Sequence, residues 1–136
     1  MSSYLTFYIV PKEEGSKPIS LLSYSRSNEI YQYVNDAINP AYAGLEGETQ
    51  YTELTKDCID RVIEDLESDI RQARTRVSEY ERHAAGNFKV IEDIISQKEY
   101  IKDLENALIT VKFIEEIVEE ADKSWSDYDK VLCNVD

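Results

Sequence analysis

A chain of 136 residues, 42% hydrophobic and 32% charged, has the size and balance of one folded domain with a modest core. Its 28 Asp and Glu against 15 Lys and Arg give a formal net charge of −13, a field that excludes nonspecific attraction to nucleic acid or to an anionic membrane. No run of about 18 apolar residues is present, which excludes a membrane-spanning helix.

Tyr4 to Val10 is aromatic and β-branched and reads as a strand. Pro11 to Pro18 is a polar turn, and Ile19 to Tyr24 a second strand that can close a hairpin on the first. Ser27 or Asn28 is placed to cap a short helix running to about Ile38, with Ile30, Tyr33, Val34 and Ala37 on its buried face. Pro40 is expected to end it, because the residue before a proline is pushed out of the helical region. Ala41 to Thr52 is read as a loop.

Thr55 then caps a long helix reaching about Ala85. Ile63, Leu66, Ile70, Ala73, Val77, Tyr80 and Ala84 recur at steps of three and four, a seam that needs a partner helix. The partner follows a break at Ala85, Gly86 and Asn87 and runs to about Ala121. Its seam is Ile91, Ile94, Ile101, Leu104, Leu108, Val111, Ile114, Val118 and Ala121, with Gln97 interrupting it. In the tail, Lys130 to Val135 alternates weakly and can return as a third strand, with Trp125 and Tyr128 expected to plug the joint between hairpin and sheet. The expected fold is therefore α+β and mostly helical, a single domain over 1–136. It divides into strand, strand, helix and loop over 1–54, a long antiparallel α-helical hairpin over 55–122, and a tail over 123–136.

The N-terminus lacks a basic region followed by a long apolar core, so it does not read as a signal peptide, and a cytoplasmic protein is expected. Cys58 and Cys133 are too few for a disulfide scaffold and lack metal spacing, so both are expected as buried, reduced thiols. The single histidine, His83, falls at the hairpin tip, and no nucleophile, metal-ligand pair or phosphate-binding loop accompanies it. The reading is of a protein that is not an enzyme and takes no cofactor or metal.

Two surfaces stand out as binding candidates. The hairpin base gathers Asp57, Asp60 and Glu64 from one helix and Glu115, Glu116, Glu119 and Glu120 from the other. Glu119 and Glu120 sit at a helix C-terminus, where carboxylates are unfavourable, and a basic protein partner would compensate them. The alternative is a solvated face screened by salt. The second surface is rich in tyrosine: Tyr24, Tyr31, Tyr33, Tyr42 and Tyr51, with Tyr8 as a neighbour. Tyrosine suits interfaces, since a rigid apolar ring ends in a hydroxyl that tolerates water. Arg26 and Ser27 lie at the strand-to-helix junction, where free backbone N–H groups can receive an anion, so a nucleotide-type ligand near Arg26, stacked by Tyr24 and Tyr31, is the alternative to a protein partner. The bland reading is that the rings are core plugs and that Arg26 pairs with Glu29. Ile59, Val62, Val90, Ile95 and Ile117 are apolar positions outside the seam and point to a homo-oligomer.

The strings YSRSNEIYQ (Tyr24 to Gln32), NPAY (Asn39 to Tyr42) and YTELT (Tyr51 to Thr55), with the closing KVLCNVD, resemble small uncharacterised acidic proteins of tailed bacteriophages. The resemblance implies a phage origin and carries no assigned activity, so it transfers no functional residue. Two roles fit it: inhibition of a bacterial protein, including a defence component, or a structural and assembly part of the virion.

Overall fold

The computed structural model describes residues 4–42 and 51–135, the backbone alone for 39–42. Among these residues the fold is α+β and mostly helical. The elements in chain order are β1 (Tyr4–Pro11), β2 (Ile19–Ser25), α1 (Glu29–Tyr42), β3 (Thr52–Glu53), α2 (Lys56–Arg82), α3 (Phe88–Ala121) and β4 (Tyr128–Val135).

The sheet is antiparallel in the order β2-β1-β4-β3. The first and last strands therefore lie side by side at its centre, with Leu5 opposite Val135 and Phe7 opposite Cys133. Alternation along the strands decides which face is inside. Leu5 and Phe7 of β1 and Val131 and Cys133 of β4 are buried, and Leu22 and Tyr24 of β2 pack against the same core. Tyr4, Thr6 and Tyr8 point the other way.

Side chains cap all three helices, those of α1 and α2 being the expected ones. Asn28 Oδ1 accepts from the N–H of Ile30 at 3.1 Å, and Thr55 Oγ1 from that of Cys58 at 3.3 Å. Asn87 Oδ1 accepts from Lys89 and Val90 at the start of α3. Between α2 and α3 the chain reverses through Gly86 at φ +79, a left-handed conformation that glycine adopts without penalty.

One contiguous core joins sheet, α1 and the lower hairpin: Leu5, Phe7, Ile30, Val34, Ile59, Leu66, Leu104, Val111, Ile114 and Val131 are all nearly or completely buried in it. Ala73, Val77 and Ile94 are buried farther along the hairpin, outside that cluster. A polar link ties the three helices: the Tyr33 hydroxyl donates to Asp69. Burial first, then the hydrogen bonds to Asp69 and Tyr100, push the Tyr33 phenol far above its ordinary range.

Four sequence expectations are corrected. The helix α1 continues through Pro40 to Tyr42, because a proline in the last turn removes one donor where carbonyls are already losing partners. Thr52 and Glu53 form β3 on the edge of β4 rather than remaining loop, with Thr52 opposite Cys133. Ile59 and Val62 belong to the core, since the base of α2 is covered by its neighbours and the buried line extends back through both. Trp125 is 71% exposed and plugs nothing: its indole N–H donates to Glu120 at 3.1 Å, and Lys123 lies 5.2 Å over the ring.

Candidate functional site

Three surfaces draw on the residues singled out by the sequence, and the sheet provides the first. All the buried strand residues named above face the helices, so the opposite face carries Tyr4, Thr6 and Tyr8 of β1 beside Ser20 and Ser23 of β2 and Leu132 of β4. Tyr4 is exposed on this face, whereas Asn134 of β4, opposite Thr6, is buried. Tyr51, which leads into β3, sets its ring edge-on to Tyr8 with centroids 5.0 Å apart. Tyr4 and Tyr51 are both more than two-fifths exposed. Thr6 and Ser23 hydroxyls bond across the strands at 3.0 Å. The result is a platform of tyrosine and hydroxyl groups, with Glu53 opposite Leu132 and Lys130 opposite Val10 at its margins, on strands whose other side is locked into the core.

The tyrosine set therefore splits in two. Tyr51 stands on the open face. Tyr24 points inward, edge-on to Phe7 at 6.4 Å, and Tyr31 is buried in the core. The side chain of Tyr42 lies outside the described residues. Tyr8, expected as a neighbour of the tyrosine-rich surface, stands on this face, and Tyr4, which was not singled out, joins it through the period-two alternation of YLTFYIV.

The second surface is a polar cleft of about 340 Å³ between the β2–α1 junction and α3. Tyr24, Ser25, Ser27, Asn28 and Glu29 form one wall, and Asp103, Asn106, Ala107 and Thr110 the other. Ser25 and Ser27 hydroxyls are bonded at 2.8 Å. Arg26 is exposed, does not line the cleft and makes no ion pair with Glu29. The charged groups of the lining are the carboxylates of Glu29 and Asp103, so the cleft suits hydrogen-bond donors and cations better than phosphate.

The third surface is the hairpin base, where the acids turn out to be partly compensated from within. Lys56 Nζ reaches Asp60 at 3.2 Å, Glu115 at 3.3 Å and Glu119 at 3.2 Å. Its hydrogen bonds to Asp60, then Glu119 and Glu115, push the Lys56 ammonium above its ordinary range. Glu120 is held by Lys123 at 3.7 Å and by Trp125. The acids at the end of α3 thus have local partners, each worth little at this exposure. Asp57, Glu64 and Glu116 are exposed and make no ion pair among the described residues. His83 closes α2 at the exposed hairpin tip, its backbone N–H donating to the carbonyl of Tyr80.

Burial pushes the Cys133 thiol up to about 12, with the nearby Cys58 a smaller cause, so Cys133 is a core group rather than a nucleophile. No helix of the described residues is long and apolar enough to cross a membrane. No family model, curated protein or solved structure matches the chain.

Proposed function

We propose that this is a non-enzymatic protein-binding module whose contact surface is the open face of the sheet. The observation that carries the reading is the group Tyr4, Tyr8 and Tyr51, outward on strands fixed from behind by Leu5, Phe7 and Cys133. Such rings offer large contact area at small entropic cost, and tyrosine is enriched at interface hot spots. The acidic surroundings favour a partner with basic residues at its rim, which steer the encounter. Together with the resemblance to phage proteins, the reading makes a bacterial protein, inhibited by this contact, the partner class to test first.

In a pull-down from bacterial extract, the doubly substituted Tyr8→Ala/Tyr51→Ala protein is expected to lose a partner that the parent retains, while Glu64→Lys keeps it. A partner retained equally by the parent and the tyrosine variant overturns the reading. The tyrosine variant should remain folded, since neither side chain belongs to the core.

A second reading rests on the carboxylates of the cleft. We infer that a ligand there is cationic, such as a polyamine or the side chain of a basic peptide, rather than a nucleotide beside Arg26. Thermal-shift measurements with spermidine and with adenosine diphosphate separate the two. Spermidine is expected to raise the melting temperature by an amount that Asp103→Asn removes, and the diphosphate to leave it unchanged.

A further inference from the structure

We propose that the free edge of β2 accepts an extended segment of a partner protein as an added strand, and that an arginine of that segment sits in the cleft beside Glu29 and Asp103. The proposal rests on the cationic reading of the cleft and adds to it how the cation is delivered. β2 stands last in the sheet, with β1 bonded to one side of it. Among the described residues no strand or turn takes up the backbone on its other side between Ile19 and Tyr24. Alternate N–H and C=O groups of an edge strand point outward and can pair with an incoming chain. Edges are commonly blunted by charge, proline or a bulge. The strand itself, ISLLSYS, carries neither charge nor proline. Its irregularity is the extra residue Leu21, between the Phe7–Leu22 and Tyr8–Ser20 pairs. Leu22 to Ser25 then run in regular register opposite Phe7 to Tyr4 and lead to the cleft, whose wall includes Tyr24 and Ser25.

The chemistry of the cleft chooses the occupant. An added strand lies about 4.8 Å beyond β2 and sends alternate side chains to the helix side. Tyr24 marks that side, since its ring meets Phe7 and packs against the core. A long side chain placed there enters the cleft of about 340 Å³, whose charged groups are the carboxylates of Glu29 and Asp103. The Asn106 amide and the Thr110 hydroxyl add neutral acceptors. Arginine suits this set, because its planar fork donates to carboxylates and its guanidinium stacks on aromatic rings. Main-chain bonds then supply affinity, and a pocket for one alternate side chain supplies specificity. A second copy of this chain does not fit the edge. It brings a further charge of −13, and in an antiparallel pairing of β2 with itself over Ile19–Ser25 the nearest cation, Arg26, falls beside Pro18, away from the cleft.

Fluorescence titration with a blocked peptide of valine and threonine around one central arginine tests the proposal. The peptide is expected to bind, and exchanging its arginine for neutral citrulline to weaken binding about tenfold or more. Asp103→Asn is expected to cause the same loss with unchanged helical circular dichroism, since the side chain is exposed. N-methylation of alternate peptide amides, first one set and then the other, tests the strand contact. One set should abolish binding and the other preserve it, because only one edge of an added strand faces β2. Equal effects of the two sets, with the arginine requirement kept, overturn strand addition and leave the cationic cleft standing. So does a peptide that fails to bind while spermidine still raises the melting temperature. Binding indifferent to both citrulline and Asp103→Asn overturns the proposal together with the cleft reading beneath it.

Discussion

Leu66→Ala is expected to cost about 3–4 kcal/mol of folding free energy, read as a lower urea midpoint with an unchanged slope. Leu66 is completely buried and stands midway along α2, inside the cluster that joins the hairpin to α1 and the sheet. Truncation removes its contacts and leaves a cavity whose walls are held by elements on several sides, so the site cannot close up. A domain of this size has a total stability of roughly 5–15 kcal/mol, and one such change takes a large share of it. Val77→Ala is the useful comparison. Val77 is 8% exposed and lies outside the contiguous core, in the upper hairpin. It also loses less side chain, so a cost of about 1 kcal/mol is expected. Equal costs at the two positions would show that cooperativity extends undiminished to the hairpin tip.

Raising the pH from about 9 to 12 is expected to remove up to about 4 kcal/mol of stability through Cys133 alone. The thiol moves from its ordinary 9.0 to about 12 on folding, first through burial and then through the proximity of Cys58. A pKa raised in the folded state means that the unfolded chain releases its proton first. Stability is therefore intact below the unfolded value and declines as pH rises towards the folded one. Tyr33 acts in the same direction from about pH 10 upwards, where the unfolded phenol ionises while burial and donation to Asp69 keep the folded one protonated. Urea midpoints measured across this range should fall steeply for the parent and less steeply for Cys133→Ala, which has no thiol to ionise. Parallel curves for the two proteins would remove Cys133 as the cause. Maleimide labelling near neutral pH provides a second check, with half-buried Cys58 modified first and Cys133 only as the chain unfolds.

The hairpin was readable because long amphipathic helices repeat their signal over many turns, and the caps Thr55 and Asn87 mark where they begin. The seam of α3 was harder to read because Ile91, expected inside, is exposed, while Ala107, absent from the expected seam, is buried. Ile59 and Val62 looked spare in a two-helix reading. Their burial depends on neighbours that α2's own periodicity does not reveal. The returning strand was visible only as weak alternation in KVLCNV, and β3, two residues long, has no period to detect. The cleft combines Glu29 with Asp103 across 74 positions of sequence, so no local pattern could announce it.

The pairing of β1 with β4 also sets an order of events during synthesis. Tyr4–Pro11 is made first, and β2 can join it on one edge almost at once. The strand that completes its other edge, Tyr128–Val135, emerges only after the entire helical hairpin has been made. At ordinary translation speeds that interval is on the order of ten seconds. Throughout it, an aromatic and β-branched segment, YLTFYIV, waits with open backbone donors and acceptors, the kind of edge that invites foreign strands. The newborn chain is thus most vulnerable to aggregation at this edge until β4 leaves the ribosome.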